Sequence, residues 1–200
     1  MQEGAVRREG RYAEGVAVGV LAVQGDFARH LSLLGGIGVE GREVRTVEDL
    51  AEVERLIIPG GESTTVGLLL ARYGLGNAIR SRAEEGMPLW GTCMGMILLS
   101  RSVEGRPEQP TLGLLDIEVR RNAFGAQVHS FETNVAVRDM GEVEGVFIRA
   151  PIVTQMGEGV ESVAEYDGKT VAVRQGRRLG TSFHPELTGD DRLHRAFLEL

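Results

Sequence analysis

Short apolar runs alternate with helical patterns through the first half of the chain, and this alternation limits the fold more than any other feature of the sequence. Three runs lack a polar face and predict strands buried on both sides of a sheet, at 16–23, 55–59 and 87–92. Helical patterns separate them. One is "DFARHLSLL" at 26–34, which opens on Asp26 as a candidate cap, and "TVED" at 46–49 has capping-box spacing. Such alternation predicts βαβ units around a parallel sheet, with binding sites at the carboxyl ends of its strands.

The second half of the chain predicts strands without helices between them. These runs lie at 114–121, 131–137 and 145–151. Asp167-Gly168 separates two further runs and is a typical hairpin turn. A helix is expected at the end of the chain, where Leu193, Phe197 and Leu200 share one face. The predicted fold class is therefore α/β, with helices on both faces of a mostly parallel central sheet and a smaller antiparallel portion.

Composition limits the classes of partner. The 200 residues, 42% of them hydrophobic, suit one domain, expected over 16–200, and residues 1–15 are expected to form a mobile extension. A formal charge of -7 disfavours nucleic acid, and no apolar run approaches the ~20 residues that cross a membrane. Cys93 is the only cysteine, so an intrachain disulfide is excluded and a reducing compartment, the cytoplasm, is expected.

Cys93 lies in the stretch "PLWGTCMGM", where an apolar strand runs into a Gly-x-Cys-x-Gly turn and then a helical pattern. Gly91 and Gly95 stand where a side chain would clash in a strand-to-helix elbow. A cysteine at such an elbow faces outward, and the helix N-terminus favours its nucleophilic thiolate. A free cysteine is also often a small buried hydrophobe, and this stretch alone leaves both interpretations open.

A candidate base follows a strand pattern in "TSFHPELT" at 181–188. Pro185 biases His184 toward extended geometry, so that the carboxylate of Glu186 can hold one imidazole nitrogen while the other faces Cys93. A surface loop histidine is the alternative. His30 and His194 are expected to be solvated on helices, and His129 has no orienting carboxylate beyond Glu132.

The stretch "IIPGGESTT" at 57–65 predicts a strand, a glycine turn and a helix capped by Ser63 or Thr64. Consecutive glycines leave backbone N–H groups free to receive an oxyanion or an anionic ligand group. An ordinary βα turn is the alternative. Phosphate binding is disfavoured, because the glycine patterns typical of nucleotide sites are absent from this stretch.

These motifs, in this order, resemble the class I, or triad, glutamine amidotransferases. "LAVQGDFARH", "GGESTT", "RRNAFG", "SFE" and "FIRAP" narrow the resemblance to the glutaminase subunits of pyridoxal 5'-phosphate synthase, over essentially residues 16–200. The resemblance implies a three-layer, flavodoxin-like fold. It also implies hydrolysis of L-glutamine to glutamate and ammonia, with Cys93 as nucleophile, His184 as acid and base, and Glu186 as orienting residue.

The same resemblance implies further site residues. The backbone N–H groups of Gly61 and Met94 would form the oxyanion hole. The residues expected to contact glutamine are Gly61, Glu62, Ser63, Arg121, Ile148 and Arg149. This family commonly has alanine directly after the cysteine, so Met94 is a departure that leaves the backbone donor in place but adds a longer side chain.

The resemblance also implies a partner, a synthase subunit with a (β/α)8 barrel that receives the ammonia within a large hetero-oligomer. Neither a bound cofactor nor a metal is expected in the glutaminase chain. Three rival functions are a glutaminase feeding another synthase, such as that of histidine biosynthesis, a cysteine hydrolase or peptidase with a similar elbow, and a non-catalytic binding module. "GGESTT" and "FIRAP" disfavour the first, and the intact triad positions disfavour the last.

Overall fold

A computed structural model describes residues 16–124 and 130–200. The extension expected over residues 1–15 lies outside the described residues. The helices are α1 (Phe27–Gly36), α2 (Val47–Ala51), α3 (Ser63–Arg72), α4 (Leu75–Glu84), α5 (Met94–Leu99) and α6 (Arg192–Leu198), with a 3-10 turn at Pro185–Leu187. The strands of the first half are β1 (Val18–Leu21), β2 (Gly41–Val44), β3 (Arg55–Ile58), β4 (Leu89–Thr92) and β5 (Ser100–Val103). Those of the second half are β6 (Leu115–Arg120), β7 (Ser130–Val137), β8 (Gly141–Ile148), β9 (Ile152–Met156), β10 (Glu161–Tyr166), β11 (Lys169–Gln175) and β12 (Arg178–Thr181).

The sheet has a parallel part and an antiparallel part that meet at β12. Its main path runs β2-β1-β3-β4-β12-β11-β10-β7-β8. From β2 to β12 neighbouring strands pair in parallel, whereas β11 pairs antiparallel with β12. Strands β5, β6 and β9 pair beside this path, and β9 joins it through β11. The predicted α/β class, a parallel sheet with an antiparallel portion, is confirmed.

Two apolar cores cover the two faces of the parallel strands. Side chains alternate between the cores along each strand, because successive residues of a strand point to opposite faces. In β3, Leu56 and Ile58 join the core that includes side chains of α2 to α5, whereas Ile57 joins the core that includes side chains of α1 and α6. The result is the three-layer arrangement of helices, sheet and helices. All three side chains are fully buried, as predicted for a strand covered on both faces.

Local signals in the sequence account for several element boundaries. Thr46 caps α2 with its side chain, and Asp49 returns the hydrogen bond in a capping box, as the spacing predicts. Asp167 and Gly168 both have positive φ, 51° and 66°, as a two-residue hairpin turn requires. Asp26 stands at the start of α1, but its side chain makes no capping hydrogen bond. Within the described residues, no helix is long and apolar enough to cross a membrane.

Candidate active site

The nucleophile elbow forms where β4 ends and α5 begins. Cys93 stands between these elements with φ 50° and ψ −104°, a conformation that costs strain for a residue with a side chain. A Cβ at Gly91 would overlap the backbone of Gly95, and a Cβ at Gly95 would overlap the carbonyl of Ile58. The two glycines therefore allow the tight crossing of strand and helix that the sequence predicts.

The histidine and carboxylate candidates follow β12, the parallel neighbour of β4. Thr181 is in register with Thr92, and the backbone N–H of Cys93 donates to the Thr181 carbonyl over 2.7 Å, so the ends of the two strands are tied together. His184 Nδ1 lies 2.8 Å from Glu186 Oε1. Glu186 belongs to the 3-10 turn that Pro185 begins, so the pair forms across a tight turn and not along the extended segment that the sequence predicts.

The electrostatics of this group favour a charged pair. Burial lowers the pKa of His184, but its hydrogen bonds to Cys93 and Glu186, and the charges of both groups, outweigh burial and raise the pKa to about 10. Burial raises the pKa of Glu186, but nearby His30 and His184 hold it below its usual value. His184 is therefore protonated at neutral pH and stands between two partners that favour its positive charge.

The glycine turn after β3 lies beside both the histidine and the elbow. A Cβ at Gly60 would lie 3.0 Å from His184 Nδ1 and closer still to Cε1, so the imidazole rests directly on this glycine. A Cβ at Gly61 would lie 3.1 Å from the Cε atom of Met94, whose side chain is 1% exposed and packs into the core. The two residues expected to form the oxyanion hole are thus neighbours. Gln24, which the sequence analysis did not select, accepts the backbone N–H of Glu62 over 3.0 Å.

The start of α3 differs from the prediction. The cap is Glu62 and not Ser63 or Thr64, because an extended Glu62 carries its carboxylate to the free backbone N–H groups of Thr64 and Thr65, at 3.1 and 2.7 Å. These hydrogen bonds, that of Thr65 foremost, lower the pKa of Glu62 to about 2. The Ser63 hydroxyl is buried and has no hydrogen-bond partner within the described residues.

The other predicted residues lie on elements that border this turn. Arg121 Nη1 donates to Gln109 over 2.9 Å, and its Nη2 lies 3.4 Å from the Glu62 carboxylate. The Cys93 thiol lies 3.7 Å from the carbonyl oxygen of Ile148. Arg149 follows with a positive φ of 47° and an exposed side chain. The structure therefore brings Arg121 to Glu62 and Ile148 to Cys93, and leaves the guanidinium of Arg149 at the surface.

The expectation that His30 and His194 are solvated is wrong. Both are fully buried, and His30 Nδ1 lies 2.9 Å from His194 Nε2. Burial lowers the pKa of His30, with Glu186 opposing that effect, and burial lowers the pKa of His194 to about 3. The helical spacing could have predicted the burial of His30, because His30 lies one turn from the buried Leu34 on the inner face of α1. His129 lies outside the described residues.

Comparison with known proteins shows the family to which this chain belongs. A family model described as "SNO glutamine amidotransferase family" matches residues 20–200. The chain belongs to this glutamine amidotransferase family. Among curated members, a protein of Herpetosiphon aurantiacus is 58% identical over 92% of this chain and 100% of its own length. One of Thermus thermophilus is 56% identical over 92% of this chain and 96% of its own length. Both carry the name "Pyridoxal 5'-phosphate synthase subunit PdxT".

Solved structures extend the comparison of this SNO-family chain. A crystal structure titled "glutamine amidotransferase" is 54% identical, covers 91% of this chain and 97% of its own, and has a TM-score of 0.88. The structure of PurLQS from Thermotoga maritima has a TM-score of 0.71 at 18% identity, covering 92% of this chain and 98% of its own. At that identity the second comparison shows a common fold only.

Proposed function

We propose that this chain hydrolyses the side-chain amide of L-glutamine to L-glutamate and ammonia. The observation that carries the proposal is the meeting of a free thiol, Cys93, with the hydrogen-bonded pair of His184 and Glu186 at the carboxyl ends of adjacent parallel strands. A nucleophile, a base and an orienting carboxylate are the three parts that acyl transfer from an amide requires. Membership of a glutamine amidotransferase family supports glutamine as the substrate.

The proposed reaction uses Cys93 as nucleophile and His184 as acid and base. The Cys93 thiolate adds to the amide carbon, and the protonated His184 gives its proton to the leaving nitrogen, so that ammonia departs and a thioester remains. His184, now neutral, takes a proton from water as the hydroxyl adds to the thioester carbon. The C–S bond then breaks, glutamate leaves, and the Cys93 thiolate is restored beside a protonated His184. Glu186 accepts the hydrogen bond of His184 throughout and fixes the orientation of its ring.

The negative oxygen of each tetrahedral intermediate needs hydrogen-bond donors. Backbone N–H groups of Gly61 and Met94 are proposed for this role, because one lies in the glycine turn and the other at the first position of α5, where helical N–H groups lack internal partners. The proposal is supported by the packing of Met94 against Gly61, which brings turn and elbow together. The proposed donor is the backbone N–H of Met94, which is present whether this position holds methionine or alanine.

Glutamine carries an α-carboxylate and an α-ammonium that need charged or polar receivers. Arg121 and Glu62 already pair in the free chain, and we assign them to the carboxylate and ammonium ends in that order. The unpartnered Ser63 hydroxyl supports a polar contact with the substrate at the start of α3. We propose that Ile148 and Arg149 border the opposite side of the bound glutamine. Ile148 would contribute its carbonyl, which lies beside the thiol, and Arg149 its exposed side chain.

The destination of the ammonia is proposed from the relatives. Curated proteins more than 50% identical to this chain are named as subunits of pyridoxal 5'-phosphate synthase. We propose that this chain passes ammonia to a (β/α)8-barrel synthase subunit within a hetero-oligomer. A single free thiol, with no cysteine partner for a disulfide, suits a reducing compartment and supports a cytoplasmic location.

Ammonia release from L-glutamine, measured with and without the barrel synthase, tests substrate and partner together. We expect release by the complex to exceed release by the isolated chain, and we expect Cys93→Ala to lower it at least about 1,000-fold. A peptide substrate serves as the control for peptidase activity. Hydrolysis of the peptide, or release that Cys93→Ala does not change, would contradict the proposed reaction, and release that the barrel subunit does not affect would contradict the proposed partner.

A further inference from the structure

The buried imidazoles behind the triad extend it by two residues that no motif assigns. Glu186 has two carboxylate oxygens, and only Oε1 contacts His184. The second oxygen, Oε2, is buried and makes no hydrogen bond within the described residues. His30 Nε2 lies 3.4 Å from it, at ion-pair distance, and the side chains of both residues have no exposed surface. A buried carboxylate oxygen is costly without a donor, so His30 is in position to satisfy it.

The hydrogen bonds around the two histidines select one pair of tautomers. If His30 carries its proton on Nε2, it donates toward Glu186, and its bare Nδ1 accepts the Nε2 proton of His194. His194 Nδ1 is then unprotonated, which suits an atom that is buried with no partner within the described residues. The opposite arrangement would bury an unpaired N–H on His194 and turn a bare His30 nitrogen toward the carboxylate. The first arrangement leaves neither imidazole with an unpaired N–H.

Burial lowers the pKa of both rings and keeps them neutral, and neighbouring side chains hold them in place. Burial and the charge of His184 lower the pKa of His30, and Glu186 and Asp26 raise it. The net effect is a lowered pKa. Asp191 and Glu186 favour a charge on His194, whereas burial and His30 oppose it. The Trp90 ring meets both imidazoles edge to face, with centroids 5.8 Å from His30 and 4.8 Å from His194. Thr92 Oγ1 also lies near this nitrogen, 3.4 Å from His30 Nε2.

We propose that His30 is a positioning residue for the glutaminase reaction, holding Oε2 of Glu186, and that His194 fixes the tautomer of His30. The proposal rests on the proposed function, since it concerns the orientation of the same catalytic pair. It links α1 and α6 to the triad through a continuous chain of side chains from Cys93 through His184, Glu186 and His30 to His194. Outer partners that orient metal-binding histidines are typically worth about 10- to 100-fold in activity, and we expect a loss of the same order for a partner that orients Glu186.

Two substitutions of His30 separate positioning from packing. His30→Leu removes the donor to Glu186, whereas His30→Gln keeps an N–H near the place of Nε2. In the complex with the barrel synthase we expect His30→Leu to lower kcat about 10- to 100-fold with less than about a twofold change in KM, and His30→Gln to recover most of the loss. Leu34→Ala, one turn along α1 and equally buried, is the control for a purely structural loss. It should lower stability and leave kcat unchanged.

The tautomers give a second readout that needs no activity. In ¹⁵N-resolved NMR spectra of the isolated chain we expect a proton on Nε2 of both His30 and His194 and none on His194 Nδ1. This measurement decides the question if His30→Leu does not fold. A proton on His30 Nδ1, a wild-type kcat in His30→Leu, or equal losses in His30→Leu, His30→Gln and Leu34→Ala would each overturn the proposal. Full ammonia release by Cys93→Ala would instead overturn the proposed reaction and leave the tautomer test standing.

Discussion

Gly60 forms the floor on which the His184 imidazole rests, so closely that a Cβ at this glycine would overlap the ring. The glycine belongs to the turn after β3, whereas the histidine follows β12, with β4 between the two strands. The turn expected to bind the oxyanion is therefore also a steric support for the base. A residue that looks like a simple turn glycine in the sequence limits the position of the side chain that we propose as the base.

Gly60→Ala should lower activity about 100-fold without unfolding the chain. The added methyl displaces His184 by part of an ångström or more, and misplacement on this scale lowers catalysis about 100-fold. We expect kcat for ammonia release to fall by that factor in the complex with the synthase, while circular dichroism stays unchanged. Gly35→Ala is the matched control, because no atom lies within 4 Å of a Cβ at that position. Wild-type kcat in Gly60→Ala would show that the ring moves freely.

Cys93→Ala should change how stability depends on pH. The pKa of His184 is raised from 6.5 to about 10, so protonation of this ring contributes stability that is fully present below pH 6.5 and is lost as the pH rises toward 10. Cys93 supplies part of that rise through its hydrogen bond and charge. We therefore expect the free energy of unfolding of the wild type to fall more steeply between pH 7 and 10 than that of Cys93→Ala, as measured by urea denaturation. Parallel slopes would show that Cys93 does not contribute to the raised pKa of His184.

Glu62→Ala should destabilise the chain at neutral pH and less so in acid. Loss of a capping carboxylate at a helix start costs about 1 kcal/mol. Because the pKa of Glu62 is lowered to about 2, its contribution is present above pH 4.5 and is lost as the pH falls toward 2. Denaturant unfolding at pH 7 and pH 3 measures the change. A stability difference that is larger at pH 3 than at pH 7 would contradict the assignment of Glu62 as the cap.

Met94→Ala should separate stability from catalysis. The Met94 side chain is buried in the core beside Gly61, and truncation of a buried methionine costs about 2–5 kcal/mol. The backbone N–H remains, so kcat per folded molecule should change by less than about threefold. Thermal unfolding and active-site titration by thiol alkylation give the two quantities. A large loss of kcat with unchanged stability would mean that the side chain acts in the pocket.

Much of the fold and the triad could be predicted from local signals. Apolar runs gave the buried strands of the parallel sheet, and Gly-x-Cys-x-Gly with His-Pro-Glu gave the candidate nucleophile and its partners. Some errors concern contacts between distant segments, and others concern local geometry. His30 and His194 are 164 positions apart, and their burial depends on a partner that neither helix reveals alone. Glu62 displaced Ser63 and Thr64 as the cap because its longer side chain reaches the same N–H groups, a choice that residue preferences do not resolve.

The pairing of β4 with β12 determines when the candidate site can assemble during folding. Cys93 and His184 lie about 90 residues apart in sequence, and contacts of such separation form slowly and late in folding. The strand that leads to the base enters the sheet between β4 and β11. In a partly folded chain the Cys93 thiol therefore lacks its proposed base, His184. We expect ammonia release only after β12 has paired with β4.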